Sequence, residues 1–342
     1  PARAARVALL HSWQSTQTEG WWRIALDFNK VPYDYVDPEF IGKTTNLREK
    51  YDVILVGPGV TQAAIDGQPM YGNPTPWKNS PDTPSITKLA ETDDTRVGMQ
   101  LEGLLNLRNF VNNGGVLLAA TTSANTFITG GIIKGVTAFN PGSDSRVVGT
   151  LLRTRIADET SPLTYGIPSN LAVYSDRGAG WNIGGGFGGG RGGGGAAGAG
   201  GGGGRQGGAG PTRATGRGTP NDPDVVQGRP ANLGETPSQP AGDLANNGGG
   251  GGRGGNAVPT PIEFQPRTVL SFSSNVSDLL VSGLLGGGDD IAGKAVVVDV
   301  PSQKGHYVVF ANNPMYRGET IGSYGMIWNA LLNFDNLGAG RK

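Results

Sequence analysis

Histidine, serine and threonine are the side chains of this chain most able to carry out chemistry, because the sequence contains no cysteine. The absence of cysteine excludes thiol catalysis, disulfides and Cys-ligated metal sites. His11 and His306 are the only two histidines. A mononuclear zinc site usually adds a carboxylate at a short fixed spacing, but Gln14 stands three positions after His11, and the acidic residue nearest to His306 is Asp299. The spacing therefore favours two strand-end histidines over a metal site, and we expect no cofactor.

A hydroxyl cluster, Thr121-Thr122-Ser123, directly follows an apolar run of strand type. Nucleophiles and ligands of α/β proteins often lie at this position. A serine hydrolase would require Gly-x-Ser-x-Gly, whose small flanking residues permit the strained turn that exposes the hydroxyl. This stretch reads Ala-Thr-Thr-Ser-Ala-Asn. The pattern favours a polar loop with a Ser or Asn helix cap over a stand-alone hydrolase.

Two glycine-containing stretches are incomplete phosphate-binding motifs. Gly42-Lys43-Thr44 matches the end of a Walker A motif, but Asp37 stands where the first glycine is required. Gly57-Pro58-Gly59 follows an apolar run, but Gln62 stands where a dinucleotide fingerprint has its third glycine. Nucleotide binding is therefore disfavoured.

Aromatic and polar residues near the first apolar run could instead bind a peptide or a sugar. His11, Trp13, Trp21 and Trp22 could form a stacking surface, or these tryptophans could pack beneath the long loop 66–90. The carboxyl ends of parallel strands meet at one edge of a sheet. The candidate ligand cleft comprises His11, Ser12, Trp13, Thr121, Ser123 and Asn312.

The elements that must position these residues alternate between apolar runs of strand type and amphipathic helical patterns. This alternation predicts an α/β fold with a mostly parallel sheet flanked by helices. We predict strands at 6–10, 31–36, 52–56, 116–120, 147–156, 171–174, 268–271, 295–300 and 306–311, the last two forming a hairpin, and helices at 19–29, 47–51, 95–112 and 319–334.

A glycine-rich insertion occupies residues 184–256 and opens with GGGFGGGRGGGGAAGAGGGGGRQGGAG. Such a tract buries too little apolar surface to offset the about 1–2 kcal/mol per residue of backbone entropy that ordering costs. Predicted strands lie on both sides, so we expect it to interrupt one domain formed by residues 1–183 and 257–342. Extended glycine backbones of neighbouring copies could hydrogen-bond to one another. The candidate assembly segment includes Gly184, Phe187, Arg191, Arg205, Arg253 and Gly255.

The charge balance gives no reason to expect nucleic acid as a partner, because 28 Lys and Arg residues face 28 Asp and Glu residues. No apolar run approaches the 18 or more residues that a membrane helix needs, so no membrane span is expected. The start PARAARVALLHSW lacks the apolar stretch of a signal peptide. We expect Pro1 to be a cut end, as in a processed exported protein, or a boundary chosen for expression.

Four stretches carry a resemblance to a known family: RVALLHSWQSTQTEGWWRIALDFNKVPYDYVD, YDVILVGPG, LEGLLNLRNFVNNGGVLLAAT and GHYVVFANNPMYRGETIGSYGMIWNALL. Together they resemble the carboxy-terminal region of large secreted bacterial proteins of the zinc carboxypeptidase family. That region is similar in pattern to class I glutamine amidotransferases. The resemblance covers nearly everything except the insertion and some flanking residues, and it implies a glutamine amidotransferase-like, or flavodoxin-like, fold.

The departures from that family concern its catalytic residues. The resemblance implies a cysteine about where Thr121 stands, and a histidine and a glutamate within the stretch 310–314, which reads Phe-Ala-Asn-Asn-Pro. None of the three is present, which argues against amidotransferase chemistry. The resemblance also implies that the carboxypeptidase half, with its metal ligands, is absent from this chain.

Two functions of different classes are compatible with these observations. The leading hypothesis is a non-catalytic, exported domain that self-associates into an extracellular filament or layer through its glycine-rich insertion. The alternative is an accessory domain that holds peptide or glycan for a secreted zinc carboxypeptidase-like enzyme. Both predict a secreted, extracellular or periplasmic protein, with other copies of itself or a peptide or glycan as the partner.

Overall fold

The computed structural model describes residues 3–82, 88–184, 224–226 and 264–341. The strands found there are β1 (Val7–Leu10), β2 (Asp34–Val36), β3 (Val53–Val56), β4 (Val116–Ala120), β5 (Val136–Phe139), β6 (Arg146–Ile156), β7 (Ala172–Ser175), β8 (Gly180–Ile183), β9 (Asp224–Val226), β10 (Arg267–Phe272), β11 (Leu280–Gly286), β12 (Ala295–Ser302) and β13 (Gly305–Phe310). The α-helices are α1 (Thr16–Phe28), α2 (Pro38–Lys43), α3 (Leu47–Lys50), α4 (Gln62–Asp66), α5 (Gln100–Asn112), α6 (Thr121–Thr129), α7 (Val276–Leu279) and α8 (Ile321–Leu332).

The central sheet has a parallel half and an antiparallel half. Five parallel strands have the order β2-β1-β3-β4-β13. Antiparallel strands β12, β10, β6, β11 and β9 continue the sheet beyond β13, with β7 beside β6 and β8 beside β12. The predicted parallel sheet is confirmed in the first half, and the sheet as a whole is mixed. The direction changes because β12 and β13 form the predicted hairpin, which turns at Gln303 and Lys304.

The parallel strands are buried on both faces, which is why they read as continuous apolar runs in the sequence. Leu9, Leu55 and Leu118 pack in the core covered by α1 and α8, while Ile54 and Leu117 pack in the core on the opposite face, covered by α5 and α6. Across the described ranges, the structure contains no helix with the length and apolarity required to cross a bilayer.

The main boundary differences have local causes. The helix predicted over 95–112 begins only at Gln100. The φ of Gln100 is 57°, which is outside the helical range, and Gly98, two residues earlier, is tightly packed. The strand predicted from Val31 begins at Asp34, because Pro32 has no N–H to donate to a ladder. The polar loop predicted after β4 is helix α6.

Strands on either side of the insertion pair with one another. β6 and β8 precede it, and they pair with β10, β11 and β12, which follow it. These two stretches therefore contribute to the same sheet. Of the candidate assembly segment, Gly184 is described and has a φ of 84°. Phe187, Arg191, Arg205, Arg253 and Gly255 lie outside the described residues.

Candidate functional site

The loops that follow β1 and β3 lie side by side at the carboxyl edge of the parallel half. From β1 the chain passes to β2 on one side and then to β3 on the other, so the strand order reverses between β1 and β3. A reversal of this kind leaves a crevice outside the strand ends, which is the usual ligand position in open α/β sheets.

A small, shallow cleft occupies this position. Trp13 lines it together with hydroxyl and carboxamide side chains, and the lining also includes one charged residue, Arg96. The Arg96 guanidinium is paired with Asp94, at 2.6 Å from Nη2 to Oδ2, and this hydrogen bond lowers the pKa of Asp94 to about 2. The cleft therefore suits an uncharged polar ligand. Its main polar and aromatic lining residues are Ser12, Trp13, Gln14, Thr61, Gln68 and Arg96.

Trp13 separates this cleft from the buried residue His11. The two rings meet edge to face with centroids 4.5 Å apart, and Trp77 lies against Trp13 at 5.6 Å. The Trp13 side chain also lies close enough to Asp37 to lower the pKa of that carboxyl slightly, although burial, the larger effect, raises it. Asp37 in turn accepts a bond from the Phe40 amide at 2.7 Å and caps α2. Trp13 is therefore held at the boundary between the cleft and the protein interior.

His11 is 1% exposed and stacks on Tyr35 with ring centroids 3.8 Å apart. Neither of its ring nitrogens has a hydrogen-bond partner within the described ranges. Burial lowers the pKa of His11 to about 3, an effect that the Ser12 backbone opposes and the positive charge of Arg23 assists. The imidazole is therefore neutral over the whole physiological pH range.

Glu19 is a buried carboxyl group that contacts Tyr35, the residue on which His11 stacks, and the sequence patterns did not single it out. Tyr35 donates a hydrogen bond from its hydroxyl to Glu19 Oε2 at 2.7 Å, while Oε1 has no partner in the described part of the chain. Burial raises the pKa of Glu19 to about 7. Glu19 precedes the fully buried Trp22 by three residues, so helical spacing could have placed it on the inward face of α1.

Asn312 and Asn313 lie at the end of β13, with β3 and β4 between them and β1. At about 4.8 Å per strand the separation from His11 is roughly 14 Å, so Asn312 lies apart from the Trp13 cleft. Trp22 donates its indole N–H to Asn313 Oδ1 at 3.0 Å. Both amide atoms of Asn312 are buried without a described partner.

The predicted hydroxyl residues connect neighbouring loops. Ser123 Oγ donates to the Gly57 carbonyl at 2.6 Å and accepts from the Val60 amide at 2.9 Å. Ser12 Oγ donates to the Gly59 carbonyl at 2.9 Å. Thr121 has a φ of 49° at the junction of β4 and α6, a left-handed conformation that is strained for a β-branched residue. Ser12 and Ser123 thus stabilise the loops around the cleft.

His306 lies at the opposite edge of the sheet from His11, beside Val116 at the start of β4. Its Nδ1 is 2.7 Å from Asp299 Oδ1, and Arg341 binds the other carboxylate oxygen at 2.7 Å. The two histidines are therefore too far apart to share a ligand. Among the described residues, no group of three His, Cys, Asp or Glu side chains is arranged to hold a metal ion.

No protein-family model and no curated protein matches this chain. Solved structures similar to it include a ThuA-like protein from Bacteroides uniformis, with 11% identity, a TM-score of 0.41, and coverage of 96% of this chain and 91% of that chain. A GMP synthase subunit from Thermoplasma acidophilum has 8% identity, a TM-score of 0.40, and coverage of 98% and 95%. A β-galactosidase from Bacillus circulans sp. alkalophilus has 8% identity and a TM-score of 0.42, and the match spans 99% of this chain but 32% of that one. Similarity at this level gives no basis for transferring an activity.

Proposed function

We propose that this chain is a non-catalytic domain that binds an uncharged polar ligand, a glycan or a peptide segment, in the cleft between the β1 and β3 loops. The observation that carries the proposal is the lining of that cleft. It combines Trp13 with neutral hydroxyl and carboxamide side chains at the point where the strand order reverses. Ligand sites in proteins commonly combine an aromatic surface with a few polar groups that fix orientation.

We also propose that the fold is glutamine amidotransferase-like. The order of the five parallel strands is the flavodoxin-like order, which supports this assignment. The left-handed Thr121 at the strand-to-helix turn adds support, because a strained turn of this type carries the nucleophile in some α/β enzymes. In this chain the turn carries a threonine. We further propose, on the sequence resemblance alone, that the domain holds its ligand for an enzyme attached upstream.

The arrangement of hydroxyl and imidazole groups supports a binding role over catalysis. The hydroxyls of Ser12 and Ser123 already bond loop carbonyls. His11 is neutral, and neither ring nitrogen bonds to any of the described hydroxyls. A nucleophile activated by an adjacent base needs a hydrogen bond between the two, and the described residues do not form one with either histidine.

Calorimetric titration of the purified full chain tests the binding role. The probes are three neutral trisaccharides (cellotriose, maltotriose and N,N′,N″-triacetylchitotriose) and one blocked tripeptide, acetyl-Ala-Ala-Ala-amide. We expect at least one probe to bind, and Trp13→Leu to weaken it about fivefold, since an aromatic contact contributes about 1 kcal/mol beyond its buried area. Trp328→Leu is the matched control, because Trp328 is a partly buried residue of α8 outside the cleft, and this variant should bind like the wild type. Equal loss in both variants, or no binding of any probe, would contradict the proposal.

A further inference from the structure

We propose that the cleft continues inward behind Trp13, and that His11 and Glu19 form its inner end, where they bind adjacent hydroxyl groups of a neutral sugar. This inference rests on the proposed function in one respect, the entry of a ligand into the cleft. It adds the ligand class and two binding residues.

The inner end is defined by three buried polar atoms without described partners: Nδ1 and Nε2 of His11, and Oε1 of Glu19. Tyr35 joins the two side chains, because it stacks on His11 at 3.8 Å and donates to the other Glu19 oxygen at 2.7 Å. A buried polar atom without a hydrogen bond costs about 1–3 kcal/mol. A ligand that pairs with all three atoms would remove this cost.

The donor and acceptor pattern of these atoms fits hydroxyl groups. A neutral imidazole offers one donor and one acceptor, and an ionised carboxylate oxygen offers an acceptor. A hydroxyl both donates and accepts, so two adjacent hydroxyls can pair with His11 and Glu19 together. Charged ligand groups fit less well: Arg23, whose guanidinium lies 4.6 Å from the Tyr35 ring centre, repels a cation, and ionised Glu19 repels an anion.

The strand pairing argues against an extended peptide at this position. β1 is hydrogen-bonded to β2 and β3, and β3 is hydrogen-bonded to β1 and β4. Neither strand therefore offers a free edge to pair with the backbone of a peptide, which is a common way in which a sheet binds an extended chain.

Trp13 controls access to the inner end. Its ring lines the cleft and meets His11 edge to face at 4.5 Å. A sugar ring that displaces Trp13 from this contact would reach His11 and keep the indole as a stacking surface. Trp13 is partly buried, whereas His11 and Glu19 are 1% and 2% exposed, so a ligand reaches them only after Trp13 moves.

Glu19 also links ligand binding to protons. The groups around it are Arg23 on its own helix, Tyr35 on β2, and His11 after β1, with Tyr33 beside Arg23. A ligand hydroxyl that donates to Glu19 favours the ionised carboxylate. Because burial raises the pKa of free Glu19 to about 7, binding near this pH should release protons and should strengthen above it.

Titration of the same three trisaccharides and the blocked tripeptide, in two buffers of different ionisation enthalpy near pH 7, measures this proton release. We expect a trisaccharide to bind with release of a fraction of a proton, and about tenfold more tightly near pH 8 than near pH 5.5. Glu19→Gln is nearly isosteric and should abolish both the release and the pH dependence. His11→Phe keeps a ring against Tyr35, removes both nitrogens, and should weaken binding at least tenfold. Glu102→Gln changes an exposed carboxylate of α5 and should bind like the wild type.

Each alternative result has a definite meaning. Suppose that Trp13→Leu weakens trisaccharide binding while Glu19→Gln and His11→Phe leave it unchanged. This result would overturn the proposed inner end of the cleft and would leave the proposed function standing. Binding of the tripeptide alone would also overturn the inference. Binding of none of the four probes would overturn both. If the His11→Phe variant does not fold, the comparison of proton release between the wild type and Glu19→Gln decides whether the inference holds.

Discussion

Glu19 and His11 are buried groups that both contact Tyr35, and their pKa values shift in opposite directions. Their effects on stability therefore have opposite signs. His11 has a folded pKa of about 3 against an ordinary 6.5, so the unfolded chain binds more protons between these values and stability rises with pH there. Glu19 has a folded pKa of about 7 against 4.5, so the folded chain binds more protons in that window and stability falls as pH rises. Between about pH 4.5 and 6.5 the two effects oppose one another.

Glu19→Gln should remove the decrease in stability with rising pH that Glu19 causes. We expect the variant to be more stable than the wild type near pH 8 by about 3 kcal/mol, the equivalent of the Glu19 pKa shift. Its stability should rise between about pH 3 and 6.5 and then stay level. Urea unfolding midpoints across this range measure the effect, and a variant whose pH profile parallels that of the wild type would contradict it.

Asp299 is a fully buried carboxylate whose two oxygens contact His306 and Arg341. Burial alone would raise its pKa, but the hydrogen bonds and charges of His306 and Arg341 hold the pKa below its ordinary value. Arg341→Ala should lower the free energy of unfolding by about 3 kcal/mol, because it leaves a buried charge with one partner. Lys43→Ala, which breaks an exposed pair with Glu39, should cause no measurable change. Equal effects in chemical denaturation would show that burial of the Asp299 pair does not matter.

At the scale of the residue, the sequence predicted the neighbourhood of the site better than its chemistry. The position of His11, Ser12 and Trp13 after an apolar run was enough to place them at a strand end. The stacking of His11 and the hydrogen bond to Glu19 both involve Tyr35, which lies on another strand. Neither contact is visible in the spacing of residues along the chain.

Among the elements, the turn from β4 into α6 stores backbone strain. Thr121 has a φ of 49°, a conformation that asparagine tolerates better than a β-branched residue. We expect Thr121→Asn to raise the free energy of unfolding by about 1 kcal/mol, since such strain costs about 1–3 kcal/mol. Thr129→Asn, an exposed change at the other end of α6, should not stabilise. A stability gain in the control, or a loss at Thr121, would contradict the assigned strain.

The elements predicted from sequence are those with a strong period or a continuous apolar run. The β12–β13 hairpin and helices α1, α5 and α8 were found because their apolar residues recur regularly. β11 was missed because Ser282 and Gly283 interrupt it, and its pairing with β6 shifts register there. α6 was missed because Thr, Ser and Asn have weak helix propensity, which packing against β4, β5 and β13 offsets.

For the whole molecule, self-association through residues 184–256 and export from the cell remain predictions. Deletion of this segment removes β9, which lies at the end of the sheet beyond β11, so we expect the remaining strand order to be unchanged. We expect the full chain to form oligomers in sedimentation experiments and the deletion variant to be monomeric while still binding its ligand. Replacement of Arg191, Arg205 and Arg253 by serine, with the tract retained, is the matched variant and should weaken assembly. A monomeric full chain at high concentration would remove the assembly hypothesis.

The cleft between the β1 and β3 loops is the centre of this account, and the NMR spectrum of the indole N–H groups tests it most directly. The chain has six tryptophans, of which Trp13 lines the cleft and Trp77 lies against it. During titration with the neutral trisaccharides, we expect the Trp13 and Trp77 signals to shift together and the Trp328 signal to stay in place. A spectrum in which Trp13 does not shift at saturating ligand would contradict the proposed site.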